Sequence, residues 1–104
     1  MLDLEWDELA DNDLLEIVVY IAADNPNAAR ELKKEIETKV EGLKKRPRMY
    51  MLGRVDGTRE VVVRGNYIVV YKEDGRMVTV LRVLHTSRAW PEVGATDDDL
   101  IDNE

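Results

Sequence analysis

The sequence predicts one small α+β domain, because helical and strand patterns occupy separate stretches of the chain. Apolar residues follow a helical period between about residues 8 and 46. Three β-rich runs then lie between residues 60 and 84, separated by Gly65-Asn66 and Asp74-Gly75, two dipeptides common in short hairpins. With a short first strand the predicted order is β-α-α-β-β-β, and 104 residues suffice for one hydrophobic core.

The first strand and the first helix are predicted from a change of apolar period. Leu2, Leu4 and Trp6 alternate with acidic residues, as in a strand with one buried face. From about residue 8 to residue 23 the spacing becomes helical. The residues that fall at i, i+3, i+4 and i+7, and that we expect on the buried side, are Leu14, Ile17, Val18 and Ile21.

A second helix is predicted between Asn25-Pro26 and Pro47. Asn is a favourable N-cap, and Pro at the first helical position loses no intrahelical hydrogen bond. Pro47 is expected to stop the helix after a basic end. One side of this helix is apolar and carries Ala29, Leu32, Ile36, Val40 and Leu43.

The last three strands are predicted to form an antiparallel meander with two-residue turns, and this register decides which side chains share a face. The face expected to receive the helices collects Val61, Val63, Ile68, Val70, Leu81 and Val83. The opposite face would carry Arg64, Tyr67 and Arg82, with Arg82 directly opposite Tyr67. Because the helices would cover only the first face, the second is expected to be open to a partner.

Composition and charge narrow the function classes. The chain has no Cys, which excludes disulfides, thiolate metal sites and cysteine nucleophiles. Its net charge of −7 is unevenly spread: residues 30–91 hold all 15 Lys and Arg against eight acidic residues, whereas residues 1–29 and 92–104 hold only acidic ones. The basic middle is compatible with phosphate contact and with an ordinary solvated surface. No metal and no cofactor are expected.

Both ends of the chain lack features of a membrane or secreted protein. No signal-peptide pattern is present, and no apolar run approaches the roughly 20 residues of a membrane span, so a cytoplasmic location without a membrane partner is expected.

We predict a single domain over residues 1–91 and an acidic, mobile tail over residues 92–104. With four Asp and one Glu, residues 97–104 are a candidate to lie against the basic face.

Several stretches together resemble the RelE/ParE superfamily of toxins from bacterial type II toxin–antitoxin systems. They are residues 16–22 with Asp24-Asn25-Pro26, residues 53–60, residues 66–71, and residues 82–85 with Trp90-Pro91. Their order covers roughly residues 4–91. The resemblance implies a helical hairpin packed on a twisted antiparallel sheet, inhibition of bacterial growth, and neutralisation by a cognate antitoxin.

The superfamily divides in mechanism, and the resemblance implies one of two targets. RelE-like members cut messenger RNA in the ribosome, whereas ParE-like members poison DNA gyrase. The Asn25-Pro26 helix break and the Gly57-Thr58-Arg59-Glu60 stretch look closer to the ParE-like branch. RNA cleavage would instead need cations that hold the phosphate and side chains that transfer protons, as in a metal-independent endoribonuclease.

Candidate catalytic residues for such a nuclease are Arg54, Arg82 and His85. The arginines would hold phosphate, and His85 is the only histidine, the usual residue for proton transfer near neutral pH. A structural role at the strand end is the alternative for His85. Arg82 has an alternative in pairing with carboxylates of an antitoxin.

Candidate binding residues are Arg59, Arg64, Tyr67 and Trp90. Arg64 is suited to phosphate or to antitoxin carboxylates, and Arg59 either to phosphate or to a salt bridge with Glu60 that orders the loop. Trp90 either stacks on a base or covers the edge of the core.

Three hypotheses follow: a ParE-like toxin that binds DNA gyrase without chemistry of its own, a RelE-like nuclease acting on mRNA in the ribosome, and a toxin fold that is inactive, redesigned or only a binding module.

Overall fold

The computed structural model describes residues 1–87 and residue 90. The predicted α+β class and the order of helices and strands are confirmed, with one short extra strand before the meander. The elements are β1 (Asp3–Trp6), α1 (Glu8–Ala22), α2 (Pro26–Gly42), β2 (Met51–Leu52), β3 (Arg59–Val63), β4 (Tyr67–Glu73) and β5 (Met77–His85). The predicted acidic tail lies outside the described residues.

The strands form one mixed sheet in the order β1-β5-β4-β3-β2. Strands β3, β4 and β5 are antiparallel neighbours, as predicted, and the unpredicted β2 is antiparallel to β3. Strand β1, however, runs parallel to β5, from Asp3 opposite Met77 to Trp6 opposite Val80. A purely antiparallel sheet was therefore wrong for β1. The reason is that the helical hairpin separates β1 from the meander, so no tight turn constrains its direction.

The two helices pack on one face of the sheet and build the core. The Asn25 side chain accepts a hydrogen bond from the Ala28 N–H at 3.1 Å and caps α2, with Pro26 at the first helical position as predicted. Helix α2 ends at Gly42, earlier than the predicted stop at Pro47. Neither described helix is long and apolar enough to cross a membrane. The residues of the helical hairpin buried in this core are Ala10, Leu14, Leu32, Ile36 and Val40, together with Leu43 directly after α2.

The turn between β3 and β4 is longer than predicted and exchanges the faces of β4. Val63 pairs with Tyr67, so three residues, Arg64, Gly65 and Asn66, make the connection. Arg64 and Gly65 both adopt left-handed backbone, with φ of 58° and 75°. Since neighbouring residues of a strand point to opposite faces, one extra turn residue moves the whole strand by one position. The residues of β4 that face the helices are consequently Tyr67, Val69 and Tyr71.

The turn between β4 and β5 is displaced from the predicted Asp74-Gly75 pair. Asp74 N–H donates to the Met77 carbonyl at 3.3 Å, and the Asp74 carboxylate accepts from the N–H groups of Arg76 and Met77, both at 2.9 Å. These backbone hydrogen bonds lower the pKa of Asp74. The turn is therefore centred on Gly75-Arg76.

An extra residue in β5 also changes the pairing register of β4 and β5 from the predicted one. Val70 pairs with Arg82, whereas Tyr71 pairs with Val80, so Leu81 is an extra residue in β5. Bulges of this kind bend a strand and redirect the side chains beside it. The residues of β5 that join the core are Val78, Val80 and Val83.

Tyr71 joins the sheet to the loop that follows α2. Its side chain is fully buried, and its hydroxyl donates to the Pro47 carbonyl at 2.7 Å. Burial raises the pKa of the Tyr71 hydroxyl to about 12, although the positive charge of Arg59 opposes part of this rise. The loop is thereby held against the end of the core by a neutral tyrosine.

The raised pKa of Tyr71 predicts a loss of stability at alkaline pH. A tyrosine in an unfolded chain ionises near pH 10, so the folded state holds this proton more tightly. The contribution is fully present below pH 10 and is lost as the pH rises from about 10 through about 12. In urea titrations across this range, wild-type protein should lose more stability than Tyr71→Phe. Equal losses in the two proteins would contradict the assignment.

Candidate functional site

The face of the sheet away from the helices is less open than predicted. By strand alternation it carries Ile68, Val70 and Leu84, and these side chains are at most 5% exposed. Val62 on β3 is 47% exposed. The predicted open surface of Arg64, Tyr67 and Arg82 is wrong, because the longer turn and the extra residue in β5 place these side chains in three different surroundings.

Arg82 is paired with a buried carboxylate of α1. Its Nε donates to Asp13 Oδ2 at 2.7 Å and its Nη2 to Asp13 Oδ1 at 3.0 Å, a bidentate pair. The Val83 N–H also donates to Asp13 Oδ2, at 2.9 Å. The side chains of Arg82 and Asp13 are only 12% and 8% exposed. This pair therefore links α1 to β5 next to the extra residue Leu81.

Sequence reasoning missed Asp13, although its position carried a signal. Asp13 lies on the same side of α1 as Ala10, Leu14 and Ile17, which pack in or against the core. A charged residue on the apolar side of a helix needs a buried partner. That requirement would have predicted a buried cation or N–H donor as its partner, and the structure supplies both, in Arg82 and the Val83 N–H.

Arg54 and Trp90 lie together with Glu60. Arg54 donates to the Glu60 carboxylate through its backbone N–H at 3.1 Å and its Nη2 at 3.4 Å, and its Nη1 donates to the Trp90 carbonyl at 3.3 Å. The Arg82 guanidinium lies 5.8 Å from the centre of the Trp90 ring, a cation–π distance. Trp90 thus contacts both of the arginines that were candidate catalytic residues.

Arg64 and Arg59 make contacts within the chain that stabilise loops. Arg64, in the turn before β4, pairs with Glu35 of α2 at 2.6 Å. Arg59 donates to the carbonyls of Tyr50 at 2.7 Å and Arg48 at 3.4 Å. A structural role for Arg59 was one of the two alternatives, but its expected partner Glu60 is taken by Arg54.

His85 lies at the exposed end of β5, apart from the arginine contacts. Its Nδ1 accepts from the Ser87 N–H at 3.0 Å and lies 2.8 Å from Ser87 Oγ. Its ring meets the Tyr67 ring edge-on, with centres 5.3 Å apart. Tyr67 is opposite His85 in the sheet, not opposite Arg82. The described contacts therefore join His85 to Tyr67, and Arg54 to Trp90, as two separate groups.

An apolar surface on the outward side of α1 was not predicted. Leu15, Val19 and Tyr20 are 60%, 59% and 83% exposed, and Leu9 is 54% exposed. Tyr20 stands between two grooves, of about 750 Å³ towards the start of α2 and about 480 Å³ towards Tyr67 and His85. The signal in the sequence was that α1 has more large apolar residues than one buried side can hold.

A second apolar surface lies at the β2 edge of the sheet. Met49, Met51 and Leu52 are 56%, 67% and 73% exposed, and Val62 lies on the adjacent strand. Within the described part of the chain, β2 is the outermost strand, and one of its backbone edges has no neighbouring strand there. Elsewhere, residues 1–87 and 90 contain no group of three or more His, Cys, Asp or Glu side chains arranged to hold a metal ion.

Comparison with known protein families identifies the family to which this chain belongs. The family model of the ParE toxin of the type II toxin–antitoxin system parDE matches residues 4–90. The chain belongs to the ParE toxin family. A protein of Sinorhizobium fredii, named as toxin Y4kP, is 36% identical over 91 residues, which cover 86% of this chain and 94% of that protein.

Solved structures with a similar fold include chains from other toxin–antitoxin systems. A chain of the chromosomal ParDE system from P. aeruginosa superposes with a TM-score of 0.73 at 21% identity, covering 82% of this toxin and 96% of that chain. A chain of the E. coli DinJ–YafQ toxin–antitoxin complex gives 0.57 at 15% identity, covering 83% and 93%. At these identities the likeness concerns the fold, and the ParE family match defines this chain as a toxin with a cognate antitoxin as partner.

Proposed function

We propose that this ParE-family toxin stops growth by binding DNA gyrase, without making or breaking a covalent bond itself. The observation that carries the proposal is that three of the four arginines suited to phosphate contact are paired with carboxylates of the same chain, while the fourth, Arg59, donates to backbone carbonyls. These pairs are Arg82 with Asp13, Arg54 with Glu60, and Arg64 with Glu35.

A phosphate bound at Arg82 would have to displace Asp13. The Asp13 carboxylate accepts two hydrogen bonds from the guanidinium and one from the Val83 N–H, and all three would be lost. A buried carboxylate without compensation costs several kcal/mol. Arg82, a candidate catalytic residue by sequence, is therefore better explained as a structural residue that joins α1 to the sheet.

A mechanism by contact requires accessible apolar surface, and the toxin has it. Large apolar side chains exposed by more than half lie on α1 and at the β2 edge. Contiguous exposed apolar residues of this kind mark sites of protein association. Gyrase as the target is supported by the family match and by the ParE-like helix break at Asn25-Pro26. A toxin that acts on gyrase works where the chromosome is, so the proposal includes a cytoplasmic location.

The test uses purified toxin, gyrase and relaxed plasmid DNA. We expect loss of supercoiling and accumulation of cleaved DNA at the toxin concentrations that stop growth. In cells, DNA-damage signalling should precede any cleavage of messenger RNA. Unchanged gyrase activity at growth-stopping concentrations would reject the proposal.

The RelE-type nuclease is the second candidate, favoured only by the exposed His85 beside Tyr67. His85→Ala separates the two mechanisms, because removal of a proton-transfer residue slows catalysis by about 10²–10⁴-fold. We expect His85→Ala to keep full toxicity and full action on gyrase. Loss of toxicity together with loss of ribosome-dependent mRNA cleavage would establish the nuclease instead.

A further inference from the structure

We infer that the loop after α2, together with β2, is the surface by which this toxin docks on gyrase that holds DNA. The cations of this surface lie towards DNA phosphates, and its exposed apolar side chains contact the gyrase protein. The inference rests on the proposed action on gyrase and adds where on the toxin the contact lies. We call this the 44–52 surface, and its members are Lys44, Lys45, Arg46, Arg48, Met49, Met51 and Leu52.

The 44–52 surface combines positive charge with exposed apolar area. Four of its members are Lys or Arg, and no acidic residue occurs between Gly42 and Val55. Met49, Met51 and Leu52 are each exposed by more than half. Methionine side chains are flexible and are common at surfaces that adapt to a binding partner. Large apolar side chains exposed together in this way mark a site of protein association.

Two grooves and one shared carboxylate place these residues at the same end of the sheet. Lys44 and Pro47 border a groove of about 420 Å³ next to the first residues of the chain. Leu52 and Glu73 border another groove, of about 210 Å³. The Glu73 carboxylate also accepts a hydrogen bond from Arg48 Nε at 2.9 Å. The cationic and apolar members therefore form one continuous surface.

Contacts with the sheet hold the 44–52 surface in place before a partner binds. The Leu2 N–H donates to the Lys44 carbonyl at 3.0 Å, and the Tyr71 hydroxyl donates to the Pro47 carbonyl at 2.7 Å. Strand β2 is paired with β3. A loop that is already ordered in the free protein loses little conformational entropy on binding.

Two cations of the surface are free to contact phosphate. Lys45 and Arg46 are exposed and make no ion pair within residues 1–87 and 90. Arg82 provides the contrast, because a buried carboxylate holds it at 2.7 Å. Exposed Lys and Arg side chains without a partner contact phosphates of any nucleotide sequence, since the attraction is mainly electrostatic.

The other two cations are in surface ion pairs that a phosphate can replace. Lys44 pairs with Glu41 at 3.0 Å and Arg48 with Glu73 at 2.9 Å. Arg48 is 71% exposed and uses only its Nε in this pair, which leaves both Nη groups without a hydrogen bond in the described part of the chain. Exposed pairs of this kind contribute little free energy, so their loss costs little.

The charge of the whole toxin decides which side can approach gyrase that holds DNA. DNA is a dense polyanion, whereas the chain has a net charge of −7 and eight acidic side chains without a basic one in residues 1–29. The α1 side would therefore be repelled, and the 44–52 surface would be attracted and would orient the toxin. A toxin that leaves DNA cleaved has to bind where gyrase holds the DNA, which favours this surface.

Gyrase with bound DNA also explains both parts of the surface. A second copy of the toxin would bring four cations against four cations. DNA alone would give the exposed side chains of Met51 and Leu52 no apolar partner. A protein surface beside phosphates offers a partner to each part.

The first test reverses the charge of the surface. Lys45→Glu with Arg46→Glu replaces two of its cations, and Lys33→Glu with Lys34→Glu makes the same change on exposed positions of α2 as the matched control. On gyrase with DNA, we expect the surface variant to bind at least about 10-fold more weakly. The slope of log affinity against log salt concentration should fall by about 2, because each lost phosphate contact removes about 0.9. On gyrase without DNA, it should bind like wild type, and the control should stay close to wild type in both cases.

The second test makes the apolar part of the surface polar. Met51→Gln with Leu52→Gln should bind gyrase at least about 10-fold more weakly both with and without DNA, as for loss of anchor residues of an interface. Correspondingly more of this variant should be needed to accumulate cleaved DNA and to stop growth. Circular dichroism checks that each variant folds.

The possible results separate this inference from the proposed function. Wild-type toxin that leaves gyrase unchanged would reject the proposed function and the inference with it. Wild-type action on gyrase that both surface variants retain in full would overturn the inference alone. So would a charge variant that is weakened equally without DNA, loss of antitoxin affinity with full action on gyrase, or a wild-type dimer that Met51→Gln with Leu52→Gln converts to a monomer.

Discussion

Replacing Asp13 by alanine should lower the free energy of unfolding of this toxin by about 3–5 kcal/mol, the usual cost of removing one partner from a buried ion pair. The change takes the carboxylate away from the Arg82 guanidinium, which is 12% exposed, and from the buried Val83 N–H. An N–H without an acceptor adds the cost of its lost solvation. Urea unfolding at neutral pH measures the loss directly.

An exposed ion pair supplies the control for Asp13. Lys33 and Glu37 are paired on the surface of α2, with side chains 49% and 46% exposed. Glu37→Ala should cost no more than about 0.5 kcal/mol, because solvent and salt screen such pairs. If Asp13→Ala lowered the free energy of unfolding as little as Glu37→Ala, the link between α1 and β5 would not be an important stabilising contact.

Replacing Tyr71 by alanine is the second large effect, with an expected loss of about 3–5 kcal/mol, as for other large buried side chains. Tyr71 is fully buried in β4 and holds the Pro47 carbonyl at 2.7 Å. Truncation would leave a cavity between the sheet and the loop after α2. Thermal or urea unfolding should show a much less stable protein.

Two further tyrosine variants divide this effect into its parts. Tyr71→Phe keeps the ring and removes only the hydroxyl, so its loss should be about 1 kcal/mol, the net value of one hydrogen bond. Tyr20→Ala removes the same side chain from an exposed position and should change stability by less than about 0.5 kcal/mol. A loss for Tyr20→Ala comparable to that for Tyr71→Ala would mean that burial does not explain the difference.

The location of α1, α2 and the β-rich segments could be predicted from the sequence because their signals are local. Apolar residues at i, i+3 and i+4 define the buried side of a helix without knowledge of what covers it. The cap at Asn25-Pro26 is likewise contained within a few neighbouring residues, and the structure contains it as predicted. The family resemblance rested on short stretches of the same local kind.

The candidate site could not be predicted to the same extent, because one extra residue in a turn reverses which side chains of the following strand face the helices. Gly65-Asn66 indicated a hairpin correctly, but the sequence did not show that Arg64 would adopt left-handed backbone and join the turn. Tyr67 therefore faces the helices and His85 instead of Arg82. The parallel pairing of β1 depends on how the helical hairpin packs, which no local pattern encodes.

By itself, the sequence determined the α+β class, the places of both helices with their apolar sides and of the β-rich segments, and the resemblance to toxins of the RelE/ParE type, but not strand β2 or the buried side of β4. Only the tertiary structure decided which arginines pair with Asp13, Glu35 and Glu60, and that Val19 and Tyr20 remain exposed. The physical reason is that periodicity reports how each segment separates apolar from polar residues over a few positions. Pairing and exposure depend on register and packing between segments distant in sequence, where a shift of one residue reverses the outcome.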